Sequence, residues 1–202
     1  MEYPKIQSVF KRDNEGKFIL GEYSHEAFHY LYDAYWEATE KIDGTNIRVI
    51  WDGEKVVIGG KTDKAQIQTK LLQILIEMFP EEHFDGMPPM TLFGEGFGPG
   101  IQKGGKYLKE PSFCLFDVFI DGYWLRREDV TDIRHKLALP HQVVSYGTLP
   151  LSTWIRNMEN GIEERSVYGD FPPEGLVLRP CVTLYDHQHE RIITKLKYKD
   201  FA

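Results

Sequence analysis

The sequence predicts an α+β fold of mainly antiparallel sheets flanked by helices. Three observations favour this class. Apolar segments of strand length alternate irregularly with amphipathic segments of helix length, instead of following a regular βαβ order. An Asp-Gly pair at residues 52 and 53 separates two short apolar segments, which is a strong hairpin signal. The 202 residues contain no repeat, low-complexity tract or linker, so a single domain is the simplest organisation.

Four segments are predicted to be helices because their apolar residues recur at helical spacing. The first begins at Ser24, a favourable N-cap residue, and runs to about residue 38. The second begins with the capping pair Asp63 and Gln66 and ends at Pro80. The other two cover residues 128–139 and 152–160.

The predicted strands are short and mostly apolar. They cover residues 45–51, 55–58, 91–97, 112–120, 175–179 and 191–198. In the last strand, Lys195 and Lys197 are two residues apart, which places both on one face at roughly 6.5–7 Å from each other. The alternative interpretation is a solvated edge strand near the terminus, where lysines are common.

Composition restricts the classes of function. A hydrophobic fraction of 42% with 13% aromatic residues can form a core, which excludes disorder. The net charge of −7 argues against a general nucleic-acid coating protein, which is usually basic. The charge does not exclude a nucleic-acid enzyme that has a local basic groove. The lysine-rich residues 103–109 are either part of such a groove or a solvated loop.

The sequence also contains no membrane or export signal. No segment approaches the ~18 apolar residues of a membrane span, and the N-terminus lacks the apolar core of a signal peptide. We therefore expect no membrane partner and a cytoplasmic location.

The most informative motif is Lys-Ile-Asp-Gly-Thr-Asn at residues 41–46. It places a lysine beside an Asp-Gly turn, between a predicted helix and a predicted apolar strand. A lysine in such a position can act as a nucleophile once burial or a neighbouring cation favours its neutral amine. A motif this short also occurs by chance in unrelated sequences, so its value as evidence for a reactive lysine depends on the rest of the chain.

Three other motifs do not support a function. Residues 59–62, Gly-Gly-Lys-Thr, lack the earlier glycine of a P-loop because Lys55 holds that position. The glycine-rich residues 94–100 lack G-x-G-x-x-G spacing and no kinase catalytic loop follows them. Residues 186–189, Asp-His-Gln-His, have no distant metal-ligand partners and fit a polar turn better.

Four further motifs follow residues 40–46 in chain order: Phe-Gly-Glu-Gly at 93–96, Leu-Phe-Asp-Val at 115–118, Glu-Gly-Leu-Val at 174–177 and Lys-Leu-Lys-Tyr at 195–198. Together the five resemble the motif series of the covalent nucleotidyltransferases, which comprise polynucleotide ligases and mRNA-capping enzymes. DNA ligases and capping enzymes commonly carry arginine where this chain has Asn46. That asparagine and the Lys-Leu-Lys-Tyr ending resemble the ATP-dependent RNA ligases of the RNA ligase 2-like family.

The resemblance implies an adenylation domain of the ATP-grasp-like nucleotidyltransferase class that covers residues 1–202. It implies three steps: ATP charges Lys41 with AMP, AMP moves to an RNA 5′-phosphate, and a 3′-hydroxyl attacks the activated end. It also implies ATP as substrate, Mg²⁺ or Mn²⁺ as cofactor, and RNA ends, nicked or single-stranded, as partners. RNA repair is one expected process, with end-sealing and tagging as open alternatives.

The same resemblance assigns the catalytic roles. Lys41 is implied to be the nucleophile, and Lys195 and Lys197 to clamp the α-phosphate oxygens. Glu174 is implied to bind or orient the metal. A free lysine with a pKa of ~10.4 is less than about 0.1% neutral at pH 7, so the cationic neighbours and the metal are expected to favour the neutral amine.

Five further residues are implied to bind the nucleotide. Glu40 and the Lys41 backbone read the adenine edge, Phe116 stacks on adenine, and Glu95, between two glycines, bonds the ribose hydroxyls. Asn46 positions phosphate or the nick. Lys61 approaches the phosphates or ribose where relatives carry arginine, and a lysine cannot reproduce arginine's bidentate fork. From sequence alone Phe116 is equally a core residue, and Glu95 and Glu174 are equally turn carboxylates in solvent.

The alternatives differ in substrate or in class. The sequence ends four residues after Tyr198, so we expect no C-terminal accessory domain. This fits a minimal ligase, an adenylyltransferase core that relies on an accessory protein, or a truncated form. A small DNA ligase or a capping-type enzyme is the closest alternative, and a non-catalytic module that binds nucleotide or RNA ends is the alternative from another class.

Overall fold

The computed structural model describes residues 1–201. In this range the strands are β1 Gln7–Ser8, β2 Phe10–Arg12, β3 Phe18–Tyr23, β4 Tyr35–Lys41, β5 Thr45–Trp51, β6 Val56–Gly59, β7 Met90–Phe97, β8 Ser112–Ile120, β9 Tyr123–Trp124, β10 His141–Gln142, β11 Ser145–Pro150, β12 Gly175–Pro180 and β13 Thr194–Lys197. The helices are α1 Glu26–Tyr30, α2 Thr69–Met78, α3 Arg127–Lys136 and α4 Leu151–Glu159. Every strand pairing is antiparallel except β1 with β13 and β10 with β8, which confirms the predicted α+β class.

The chain forms two compact units. The first unit contains Met1–Pro4 and Ile42–Val143, and the second contains Lys5–Lys41 and the chain from Val144 onward. The longest described helices have ten residues, and none of them is long and apolar enough to cross a membrane.

The first unit is built on a sheet in the order β10-β8-β7-β5-β6, with β9 paired to β8. Its core lies between this sheet and helices α2 and α3, which both pack against β8. Ile47 and Val49 of β5 and Leu71 and Leu75 of α2 are fully buried there. The predicted hairpin between β5 and β6 is confirmed, since Asp52 accepts backbone hydrogen bonds and Gly53 has a φ of +104°.

The second unit is built on a sheet in the order β1-β13-β12-β4-β11, with β2 and β3 forming a separate ribbon. Trp36 and Ala38 of β4, with Leu176 and Leu196 of the neighbouring strands, face the core and are at most 1% exposed. Helix α4 contributes Trp154 to the same core, where its indole N–H donates to the carbonyl of Trp36. The side chains of the residues that alternate with these along each strand therefore point to the opposite face of the sheet.

The prediction of one helix over 24–38 is wrong. The structure has the short α1, capped by His25 rather than Ser24, followed by strand β4. Lys41 accordingly ends a strand and does not follow a helix. Aromatic residues at 28, 32 and 35 match the helical spacing, but from Tyr35 the burial alternates with period two, and burial of Trp36 and Ala38 against the sheet core determines the outcome.

The predicted capping role of Asp63 is also wrong. Helix α2 begins at Thr69, where the Gln68 side chain accepts a hydrogen bond from the Leu71 backbone N–H at 3.0 Å. Asp63 instead accepts from the guanidinium of Arg48 at 2.7 Å. The end of this helix before Pro80 is confirmed, and α3 and α4 match their predicted ranges to within a few residues.

Candidate active site

The reactive-lysine candidate lies at the end of a central strand in the second unit. Lys41 is the last residue of β4, and its neighbour across the sheet is Gly175, the first residue of β12. Gly175 is in turn opposite Lys197, the last residue of β13. Directly opposed residues point to the same face, so Lys41 and Lys197 flank a position that has no side chain.

Gly175 is sterically required where it stands. A Cβ atom there would lie 2.0 Å from the carbonyl oxygen of Leu196 and 2.7 Å from the Cα of Lys197. These are backbone atoms of β13, which a rotamer change cannot move. The glycine therefore allows β12 and β13 to pair closely at the point where the two lysines converge.

We expect Gly175→Ala to lower the free energy of unfolding by about 3 kcal/mol, because the added methyl forces β12 away from β13. Urea denaturation of both proteins measures the difference. The matched control is Gly105→Ala, where a Cβ would come no closer than 4.0 Å to its nearest neighbour, and we expect a change within about 0.5 kcal/mol. Equal midpoints for the two variants would contradict the steric argument.

Glu174 links the two lysines. One carboxylate oxygen accepts a short hydrogen bond from the Nζ of Lys41, and the other accepts one from the Nζ of Lys197. The backbone of Glu174 is fixed as well: its N–H donates to the Lys41 carbonyl at 3.2 Å, and its carbonyl accepts from the Tyr198 N–H at 3.4 Å. The carboxylate is thus held between the ends of β4 and β13, with its side chain 17% exposed.

Opposing effects determine the ionisation of Glu174. Burial disfavours the charged carboxylate, but the positive charge of Lys41 and hydrogen bonds from both lysines outweigh burial and lower its pKa. The carboxylate is therefore charged at neutral pH. An ammonium group that donates to this carboxylate is not a free amine, so Lys41 must lose that proton before its nitrogen can attack phosphorus.

Lys195 lies on the same face as Lys197, as the sequence predicts, opposite Val177 of β12 and Ser8 of β1. Strand β13 lies between β1 and β12, so the alternative of an edge strand is excluded. Burial, followed by repulsion from Lys197 and Lys41, lowers the pKa of Lys195 to about 8. Among residues 1–201, Lys195 has no ion-pair partner.

The carboxylate of Glu40 faces away from Lys41, toward the core side of the sheet, and is 7% exposed. Three groups surround it: the Ser166 hydroxyl at 2.6 Å, the Tyr146 hydroxyl at 3.2 Å and the Val167 N–H at 3.3 Å. Burial and the charge of Glu40 raise the pKa of Tyr146, which therefore stays a hydrogen-bond donor. The structure thus supports a positioning role for Glu40 beneath the end of β4, and its predicted contact with adenine stays a prediction.

In the first unit, the structure brings Asn46 and Glu95 together. They are directly opposite each other on β5 and β7, so their side chains project from the same face of that sheet. The side-chain oxygen of Asn46 is buried and has no hydrogen-bond partner within the described residues. A buried acceptor of this kind is satisfied when a donor of a ligand, such as a hydroxyl, reaches it.

Glycines around Glu95 serve close packing. A Cβ on Gly94 would lie 2.1 Å from the Phe113 ring, and one on Gly96 would lie 2.6 Å from Leu71. A Cβ on Gly44 would lie 2.4 Å from the Gly96 carbonyl oxygen and 2.8 Å from the Cγ of Glu95. The Asp-Gly turn after Lys41 therefore packs directly against the Glu95 segment, which ties these two sequence motifs together.

Two other predicted residues of the first unit have different surroundings. Phe116 lies at a bulge of β8, is partly buried, and packs edge-on against Tyr3 with ring centroids 5.1 Å apart. Lys61 is exposed in the loop after β6. Their predicted contacts with adenine and phosphate stay predictions.

Several residues were missed by sequence reasoning. Arg48 is 3% exposed and holds the loop around Lys61 through Gly60 and Asp63, which a lone arginine inside an apolar strand could have indicated. Tyr107, in the lysine-rich segment 103–109, is buried and accepts from the Asp43 N–H at 3.3 Å. That segment therefore supports the Asp-Gly turn, while its lysines remain exposed.

Several solved structures have a fold similar to that of this chain. A Naegleria gruberi RNA ligase variant without ligand matches with a TM-score of 0.70 and 16% identity, covering 99% of this chain and 58% of that chain. A variant solved with ATP and manganese gives 0.69 and 16%, covering 97% and 57%, and the enzyme with pyrophosphate gives 0.68 and 16%, covering 96% and 61%. The chain spans about three fifths of the length of these proteins. The chain therefore shares its fold with the part of these RNA ligases that it matches.

The sequence comparison is more specific. A family model described as RNA ligase matches residues 34–198, which is most of the chain. The chain belongs to the RNA ligase family. A search of curated proteins found no significant match.

Proposed function

We propose that this protein is an ATP-dependent RNA ligase that carries AMP on Lys41. The observation that carries the proposal is the alignment of Lys41, Glu174 and Lys197 at three adjacent strand ends, with Lys195 on the same face. Family membership supports the reaction class, and the fold shared with an enzyme solved with ATP and manganese supports the substrate.

In the first step, the Lys41 ammonium releases one proton to solvent, and the lone pair of the neutral nitrogen attacks the α-phosphorus of ATP. A nitrogen–phosphorus bond forms, the bond to the bridging oxygen breaks, and pyrophosphate leaves with that electron pair. The nitrogen then gives up a second proton to solvent. Negative charge develops on the α-phosphate oxygens, and Lys195 and Lys197 are placed to stabilise it, because both project from the same face.

In the second step, an oxygen of the RNA 5′-phosphate attacks the phosphorus held by Lys41. The nitrogen–phosphorus bond breaks, and Lys41 takes back a proton. In the third step, the 3′-hydroxyl oxygen attacks the activated 5′-phosphorus, loses its proton, and AMP leaves. No oxidant or reductant is needed in any step.

The site fits a divalent cation through Glu174. The described residues contain no cluster of three or more His, Cys, Asp or Glu side chains that could hold a metal. A cation here would use the Glu174 carboxylate together with phosphate oxygens, as Mg²⁺ often does, and it would neutralise phosphate charge. Both carboxylate oxygens now accept from lysines, so a lysine must release Glu174 when a cation binds.

The proposed nucleotide contacts within the first unit are supported by Asn46 and Glu95. The orphaned oxygen of Asn46 can accept a hydrogen bond from a hydroxyl donor, and the adjacent carboxylate of Glu95 suits the ribose hydroxyls. Phe116, Lys61 and Glu40 complete the proposed nucleotide-binding set. We also propose that residues 1–202 act as one nucleotidyltransferase domain, with an accessory protein supplying any further grip on RNA.

Two comparisons test the proposal. Purified protein with radiolabelled ATP and Mg²⁺ or Mn²⁺ should form a covalent adduct, and labelled GTP should not. Nicked duplex RNA and single-stranded RNA should then be sealed faster than nicked DNA. Faster DNA sealing favours the DNA-ligase alternative, labelling by GTP favours a capping-type enzyme, and ATP binding without an adduct favours a non-catalytic module.

A further inference from the structure

A basic cavity lies in the second unit beside the lysine pair. It has a volume of about 370 Å³ and is formed by the N-terminal segment, including β1 and β2, against β13 and the turn that follows it. Its lining includes six cationic side chains: Lys5, Lys11, Arg12, Lys195, Lys197 and Lys199. We call this cavity the basic groove.

The charge of the basic groove is opposite to that of the protein. The chain has 31 acidic and 24 basic residues, yet the groove lining contains six basic residues and a single acidic one, Asp200. Asp200 is paired with Arg12 at 2.5 Å. Clustering of like charges costs free energy in the folded protein unless an anion offsets it, so this arrangement points to an anionic ligand.

Several of these cations are available to a ligand. Lys5 and Lys199 are exposed, and within residues 1–201 neither of them has an ion-pair partner. Within the described part of the chain, Lys11 is paired only with Glu22, at 3.6 Å and with both side chains more than half exposed, which is a weak interaction. The free cations come from both walls of the groove, the N-terminal segment and the segment that continues β13.

The groove has no surface on which a base can stack. Its apolar lining residues are Ile6 and Phe10. Phe10 is 4% exposed, and its ring already packs against Phe18 and Tyr23 with centroids 5.8 Å and 5.3 Å away. Proteins that hold bases in single strands use accessible aromatic faces, whereas backbone recognition needs only cations.

We propose that the basic groove binds the phosphodiester backbone of an RNA strand, independently of base sequence, next to the reactive centre. This inference rests on the proposed ligase function. Lys195 and Lys197 belong to both sites, so a strand in the groove runs directly to the place where Lys41 carries AMP. The pyrophosphate part of ATP has the same phosphate chemistry, and the experiment below separates the two sources.

The test is the double variant Lys5→Ala with Lys199→Ala. We expect its affinity for a single-stranded, 5′-phosphorylated RNA oligonucleotide to fall about tenfold at low salt, equally for homopolymers of different base. The slope of log K against log salt should decrease by about 1.4, because each lost phosphate contact contributes about 0.7 for a single strand. Fluorescence anisotropy with the wild-type chain and the variant measures both quantities without any catalysis.

The matched control removes two exposed lysines outside the groove, Lys55 and Lys136, and should change neither quantity. An unchanged RNA affinity in the groove variant overturns the proposal. A loss of ATP-dependent self-adenylylation that exceeds the loss of RNA affinity also overturns it, since the groove would then serve the polyphosphate of ATP. If the wild-type protein forms no covalent AMP adduct but the groove variant still loses RNA affinity, the proposed ligase function is wrong and the proposed RNA binding by the basic groove is supported.

Discussion

Replacing Lys41 with alanine should reduce the formation of covalent protein–AMP by a factor of at least about 10⁴. Lys41 is the only residue that the proposal allows to form the nitrogen–phosphorus bond. Glu174 keeps its second contact, with Lys197, after the substitution, so the variant should fold and the loss should not reflect denaturation. Gel autoradiography with labelled ATP and metal measures the adduct.

Lys41→Arg makes this test sharper. Arginine preserves a cation beside Glu174 but stays protonated, and therefore offers no nucleophile. We expect no adduct from this variant, and thermal stability close to that of wild type. Lys55→Ala, which removes an exposed lysine of the first unit, should label normally. Persistent labelling of both Lys41 variants would place the nucleophile elsewhere.

Lys195→Met should lower the rate of self-adenylylation and raise the stability of the folded protein. We expect self-adenylylation to fall by about 10²–10³, since one stabilising charge on the transition state is lost. The folded apo protein should nevertheless become more stable at neutral pH, by about 1 kcal/mol after allowance for solvent screening at this half-buried site. Burial and the nearby lysines hold the pKa of Lys195 at about 8, so its charged form is disfavoured in the folded state.

The pH dependence of that stability difference follows from linkage. The unfolded chain has the ordinary lysine pKa of 10.5, and the folded chain has about 8. Between these values the unfolded state binds more protons, so wild-type stability rises with pH across this window. The advantage of Lys195→Met should therefore be complete below pH 8 and diminish as the pH rises toward 10.5.

Urea denaturation of both proteins from pH 7 to pH 9.5 measures this trend. Lys197→Met is the matched control on the same strand face. It removes an ion pair with Glu174, so we expect it to lower stability by about 1 kcal/mol at neutral pH. A Lys195→Met variant that is less stable than wild type at pH 7, or a difference that does not change with pH, would contradict this explanation.

The sequence was sufficient where the determining interactions are local or periodic. The two-residue spacing of Lys195 and Lys197 correctly placed both on one face, and the Asp-Gly pair correctly marked the β5–β6 hairpin. It failed where tertiary contacts decide. Residues 28, 32 and 35 fit a helical spacing, yet residues 35–41 form β4 because burial of Trp36 and Ala38 in the sheet core outweighs local preference.

In the candidate site, too, the sequence predicts residue types and strand faces but not the contacts between distant segments. The resemblance assigns Glu174 its role, but its simultaneous contact with Lys41 and Lys197 depends on the pairing of β12 with two strands, β13 and the much earlier β4. Lys41 and Glu174 are 133 residues apart in the chain. Ser166 and Tyr146, which surround Glu40, lie more than 100 residues from it and belong to no motif. Sequence patterns identify residue types and faces, whereas long-range hydrogen-bond partners depend on the packed fold.

Locating the AMP on the wild-type protein shows directly whether Lys41 is the nucleophile. Protein incubated with ATP and Mg²⁺ or Mn²⁺ is digested, and its peptides are examined by tandem mass spectrometry under conditions that preserve a phosphoramidate. We expect a single adenylyl group, on the Lys41 side chain, that disappears when pyrophosphate is added in excess. An adenylyl group on Lys195, Lys197 or another residue, or no adduct under any metal and pH condition, would contradict it.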